Sequence, residues 1–131
     1  MNLDIKISVM MIVFNEEKFL DICLSQLINY ADEIIVIEGA IEQFWSLAND
    51  DGSSKDRTNE ILDLWNKNNI GKFKIIHGKW KTKHDMQKAG LKLIDPTMGY
   101  LHIVDADEIY CFYSLVRIRE ILRHDKPDIV K

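Results

Sequence analysis

The chain has 131 residues, 47% of them apolar and 29% charged, with 17 Lys and Arg against 21 Asp and Glu for a formal net charge of −4. That length predicts one domain, residues 1–131, large enough to bury a full core, and the mild acidity excludes the broad basic footprint of a nucleic-acid binder. No apolar run reaches the roughly 18 residues of a transmembrane segment, the start lacks signal-peptide shape, and Cys23 and Cys111 read as two buried thiols of a reducing compartment, so a soluble cytoplasmic protein is expected.

Ile5 to Phe14 is a nearly continuous apolar run rich in branched side chains, the pattern of a central strand buried on both faces. Asn15 follows as a candidate N-cap, with Glu16 and Glu17 placed for the first turn of a helix. Phe19, Leu20, Cys23, Leu24, Leu27 and Ile28 then recur at helical spacing to about Tyr30. Ile34 to Ile37 predicts a second buried strand, ending at Glu38 and Gly39. From Ala40 to Ser54 periodicity is lost, and Asn49-Asp-Asp-Gly-Ser-Ser54 is turn chemistry.

A second helix is expected over 55–69, with Ile61, Leu62 and Trp65 inward, and a third strand over 73–76. Lys83 to Leu93 predicts a third helix, stopped by Asp95-Pro96. Tyr100 to Val104 is a fourth strand, Ser114 to Arg123 a final helix, and Asp128 to Val130 the start of a further strand. This βαβ order, with connections long enough for crossovers, predicts a mostly parallel sheet with helices on both faces.

The fourth strand carries the most informative chemistry, because Asp105 and Asp107 stand Asp-x-Asp at its C-terminal end. Ligands of open α/β sheets bind at that end. On extended backbone, side chains two apart point the same way, so the two carboxylates converge on one cation. Hard carboxylate oxygens suit Mg²⁺ or Mn²⁺, which keep positions open for phosphate oxygens. The competing reading is an acidic turn that caps the next helix.

Four strings in order, Ile7 to Glu17, Asp32 to Glu38, Asp51 to Asp56 and Val104 to Ile109, resemble the N-terminal part of the family-2 glycosyltransferases. The resemblance covers nearly the whole chain. It implies the GT-A fold, an α/β nucleotide-diphospho-sugar transferase-like layer arrangement, here cut short after the Asp-x-Asp strand. It further implies transfer of a sugar from a nucleotide-diphosphate donor to a saccharide, lipid or protein acceptor, with inversion at the sugar carbon. By the same resemblance Asp105 touches the donor ribose and the metal, and Asp107 ligates Mn²⁺ or Mg²⁺ on the diphosphate. Ile12 and Phe14 match the exit of the first strand, where the family holds the base; many members carry proline at the place of Ile12. Glu38 stands where many members have an aspartate that reads the base edge. Lys83, with Gln87 one helical turn on, matches a basic position facing the diphosphate.

Members of the family more usually run straight from the second strand into Asp-Gly-Ser. Here Gly39 to Asn49, with Phe44 and Trp45, intervenes as a lid, an acceptor-side loop or a surface excursion with an aromatic anchor. Asp51 and Ser53 are expected to serve the turn and the N-terminus of the second helix, with nucleotide contact as the lesser alternative. His77, His84, His102 and His124 show no metal-ligand spacing, and each of the other positions singled out has a plain structural reading in packing, capping or a solvated face.

Two rival functions remain in view. Haloacid-dehalogenase phosphatases also place Asp-x-Asp after an apolar strand, with a nucleophile first and a general acid second. Their motif lies on an early strand and needs later motifs for which the 24 residues after Asp107 leave no room. The other rival is a nucleotide-sugar-binding remnant or fragment without transfer. An inverting transfer needs a carboxylate base, and no obvious candidate lies downstream, where Glu120 and Asp125 have ordinary surface character. No catalytic residue is assigned.

Overall fold

The computed structural model describes residues 5–107 and the helix 112–125. Strands β1 (Ile7–Val13), β2 (Glu33–Glu38), β3 (Phe73–His77) and β4 (Tyr100–Ile103) form one sheet of order β3-β2-β1-β4. All three pairings are parallel, with Val9 opposite both Ile34 and His102. The helices are α1 (Leu20–Leu27), α2 (Thr58–Asn68), α3 (Lys83–Leu91) and α4 (Phe112–Asp125), and a 3₁₀ turn spans Glu42–Leu47. The expected α/β architecture is present; the proposed strand at Asp128–Val130 lies outside the described residues, as does Cys111.

Strand parity divides the core in two. Ile7, Val9, Met11 and Val13 of β1, with Ile34 and Val36 of β2, pack against Leu20, Leu24 and Leu27 of α1, Leu62 of α2 and Leu115 and Leu122 of α4. Met10, Ile35 and Ile37 face the other way, onto Met86 of α3. The two central strands are therefore buried on both sides, and each fully buried aliphatic side chain contributes about 1.5–3 kcal/mol. Gly90 lets α3 lie close: a Cβ there would stand 2.6 Å from Ile37 Cδ1 and from Met10 Sδ.

Two helix starts differ from the sequence expectation for one shared reason. Asn15 does not cap α1; it takes a left-handed conformation (φ 49°), which asparagine tolerates, and α1 begins at Leu20. Its polar groups reach across to the turn before α2 instead: Asn15 N–H donates to Ser54 Oγ (2.9 Å), and Lys55 N–H donates to Asn15 Oδ1 (3.0 Å). The next amides follow, Glu16 N–H to Thr58 Oγ1 (2.8 Å) and Glu17 N–H to Asp56 Oδ2 (3.1 Å). Residues 54–58 are thus occupied in bracketing the exit of β1, and α2 starts at Thr58 rather than at Lys55.

Candidate functional site

A cleft of ≈360 Å³ opens where β1, β2 and β4 end and α3 begins. Ile12 and Phe14 line it from the exit of β1, and Asp105, Ala106 and Asp107 from the segment after β4. Lys83, the first residue of α3, and Met86, one turn on, complete the α3 side. Thr82 fixes that helix start by accepting the Asp85 N–H on Oγ1 at 3.1 Å. Five of the seven residues singled out from sequence, Ile12, Phe14, Lys83, Asp105 and Asp107, therefore meet in one cavity. Gln87 sits half-buried on α3, outside the lining, and Glu38 is elsewhere.

The acidic pair reaches the cleft by a different backbone from the one expected. Regular strand ends at Ile103, although Val104 N–H still donates to Met10 O (3.0 Å), and Ala106 and Asp107 form a turn. Both aspartates are exposed, while Val104 and Ala106 between and before them are buried and hold the turn in place.

Glu16, from the loop after β1, adds a third carboxylate to the lining. Its pKa lies above the ordinary 4.5 because burial penalises the charged form and because the carboxylates of Asp107, Asp56 and Asp105 repel it. Among the described residues no three His, Cys, Asp or Glu side chains group closely enough to hold a metal unaided. Two exposed hard-oxygen ligands in a cavity of excess negative potential nonetheless suit a divalent cation that takes its remaining ligands from a phosphate.

The raised pKa has a consequence for stability. A carboxyl that keeps its proton longer in the folded state than in the unfolded one destabilises the fold once pH rises through its folded pKa. Glu16→Gln is expected to raise the melting temperature at pH 7, with the gap to wild type closing as pH falls below 4.5, where both states are protonated. Thermal unfolding of the two proteins across that range checks it; a gap independent of pH would mean that Glu16 does not feel the acidic pair.

Glu38 is fully buried on the opposite face of the sheet. Ile34, Val36 and Glu38 share the side of β2 that faces α1 and α2, whereas the cleft lies toward α3. Glu38 Oε2 accepts from Ser54 N–H (2.7 Å) and Ser54 Oγ–H (2.8 Å), and Oε1 is 2.8 Å from His77 Nδ1. The carboxylate thus ties the turn before α2 to the end of β3. Asp51 does the local turn work expected of it, accepting from Ser53 N–H (2.9 Å) and Oγ–H (2.6 Å), which holds its carboxyl below the usual range. His102 Nδ1 lies 2.9 Å from Tyr30 OH, and the two rings meet edge to face.

Sequence reasoning missed Gly39, Ile41, Met86 and Glu16 as lining residues and left Phe44 undecided. The 39–49 insertion folds back as the 3₁₀ turn and brings Ile41 and Phe44 to the cleft wall. Gly39 makes the departure from β2 possible, since it takes φ 134° and a Cβ would lie 1.9 Å from Gly78 O.

Comparison with known proteins agrees with this fold. The structure superposes on the crystal structure of Staphylococcus aureus TarS residues 1–349 with a TM-score of 0.66 at 18% identity, covering 90% of this chain and 32% of that one. The chain thus spans about a third of that neighbour's length, and at this identity the likeness shows the fold. No curated protein sequence matches the chain, and no described helix is long and apolar enough to cross a membrane. The profile of "Glycosyl transferase family 2" matches residues 8–131, nearly the full length, and the chain belongs to that family.

Proposed function

We propose that the cleft binds a nucleotide-diphosphate sugar through a divalent cation, Mn²⁺ or Mg²⁺, and presents it for glycosyl transfer to an acceptor hydroxyl. The observation that carries this reading is the meeting of Asp105 and Asp107 with Lys83 and the apolar Ile12 and Phe14 in one cavity at the C-terminal edge of a parallel sheet. Asp107, with Asp105 beside it, would hold the cation. When bound, the cation supplies Lewis-acid neutralisation of the charge that grows on the leaving diphosphate. Lys83 adds a fixed positive charge on the facing wall, placed at the N-terminus of α3 where the helix dipole also favours phosphate. The apolar part of the cleft excludes water from the nucleoside and strengthens these charge interactions.

A second reading, binding without transfer by these 131 residues alone, has support in the lining itself: its described carboxylates are Glu16, Asp105 and Asp107, two of which are taken by the cation. The test is calorimetric titration of the chain with UDP, GDP and their sugar conjugates in Mn²⁺, repeated in EDTA. Micromolar-range binding that vanishes in EDTA is expected. Binding indifferent to metal removal would refute the role of the acidic pair. Release of nucleoside diphosphate on incubation with candidate acceptors would then separate transfer from binding.

A further inference from the structure

The insertion brings to the cleft lining residues for which the metal–diphosphate reading has no use, Ile41 and Phe44 among them. Phe44 lies on the 3₁₀ turn of the insertion, lines the cleft, and leaves 40% of its surface exposed. An aromatic ring on a surface loop is ordinarily no more than that. This one stands on a braced support. Trp45, its neighbour, donates Nε1–H to Trp80 O (2.9 Å) and Ala40 O (3.2 Å), and Lys79 Nζ sits 4.7 Å from the centre of its ring. Backbone bonds from Trp80 N–H to Ala40 O (3.0 Å) and from Ala40 N–H to Gly52 O (2.9 Å) close the base of the insertion. The turn itself buries none of its own residues, so what Trp45 anchors is a platform rather than a piece of core.

Among the described lining residues the polar side chains are Glu16, Lys83, Asp105 and Asp107, all charged and all suited to the diphosphate end. Glu38, the carboxylate nearest in sequence to a base-reading role, faces the other side of the sheet with both oxygens engaged. The other described lining side chains are apolar, and Phe14 and Phe44 are the two aromatic rings among them.

Resting on the donor-binding reading above, we propose that Phe44, carried by the insertion, is the stacking platform for the nucleobase of the donor, and that base choice at this site is consequently weak. Stacking is tolerant because every base presents a π-face. Strong discrimination requires hydrogen-bonding side chains that a wrong base leaves unpaired.

The experiment compares Mn²⁺-dependent binding of UDP, CDP, GDP, ADP and inorganic pyrophosphate to the wild-type chain and to Phe44→Ala and Phe44→Trp. All four nucleotides are expected to bind within about tenfold of one another and more tightly than pyrophosphate. Phe44→Ala weakens every nucleotide about 10- to 100-fold and leaves pyrophosphate unchanged, while Phe44→Trp keeps nucleotide affinity. Circular dichroism establishes that the variants are folded, which the exposed position of the ring favours. Wild-type nucleotide affinity in Phe44→Ala overturns the proposal and moves the ring to the acceptor side. Equal affinity for pyrophosphate and nucleotides overturns it too, but leaves the metal–diphosphate site standing. A hundredfold preference for one base overturns the tolerance. If neither pyrophosphate nor nucleotide binds, the proposal falls together with the donor reading.

Discussion

On the proposed donor reading, Asp107→Ala is expected to abolish metal-dependent nucleotide binding and to leave the fold intact. Asp107 is exposed and lies in a turn after β4, so its side chain supports no core contact. Its loss removes one of the two carboxylates that the cleft offers a cation, and Mg²⁺ or Mn²⁺ held by a single exposed aspartate retains little affinity. Even disturbing an outer partner of a metal ligand costs 10- to 100-fold, so removal of a ligand is expected to weaken Mn²⁺–UDP binding by more than about 100-fold. Relief of like-charge repulsion gives a second signature in the same variant. Asp107 is the largest charged contributor to the raised pKa of Glu16, which should move back toward 4.5 when it is removed. Titration calorimetry measures the first effect and carboxyl NMR shifts the second. A variant that binds Mn²⁺–UDP like wild type would sink the site assignment, and an unchanged Glu16 would mean that the two groups are not neighbours in solution.

The sheet was legible because its strands are extreme in composition. The runs at 7–13 and 33–38 have few polar interruptions, and only a strand covered on both faces has use for that much branched apolar surface. Helix starts were less legible, since the side chains that cap locally can also reach across the fold. Asn15 and Thr58 have capping chemistry that the structure uses to bracket β1 against α2, while Asp56 does both, accepting Thr58 N–H on Oδ1 and Glu17 N–H on Oδ2. No count along the chain distinguishes the two uses.

The acidic half of the site was legible for a similar reason, because Asp105 and Asp107 need only share one strand end to be near each other. The apolar half was not. Phe44 and Ile41 belong to a stretch without period, and their arrival at the cleft depends on Gly39, on the Trp45 anchor and on the β3–α3 connection together. Glu38 is the instructive intermediate. Resemblance to relatives placed it beside the base, while its parity with Ile34 and Val36 already assigned it to the α1 and α2 side. The alternation rule is the better guide here, because the side of a strand from which a residue leaves is decided by geometry before any ligand is present.

That buried position makes Glu38→Ala the most destabilising single change expected in the described structure. Alanine would strand the Ser54 amide and hydroxyl without an acceptor inside the core and deprive His77 Nδ1 of its partner. Each buried polar group so orphaned costs about 1–3 kcal/mol, and Ser54 contributes two of them, whereas the half-exposed His77 can turn to water and loses less. Against a total stability of about 5–15 kcal/mol for a domain of this size, that lowers the melting temperature by about 10 °C or more. The loss should not remain local. Ser54 Oγ also accepts the Asn15 amide, so the exit of β1, which carries Phe14 and Glu16 into the cleft, is loosened along with the turn. Glu38→Gln keeps a carbonyl acceptor for Ser54 and should recover roughly half of the difference, whereas Glu38→Asp retracts the carboxylate by one methylene and cannot span from Ser54 to His77. Thermal melts of the three variants order them Gln above Asp and Ala. If Glu38→Ala instead melts with wild type but loses nucleotide affinity, the carboxylate faces the donor after all, and the sheet side assigned to it here is wrong.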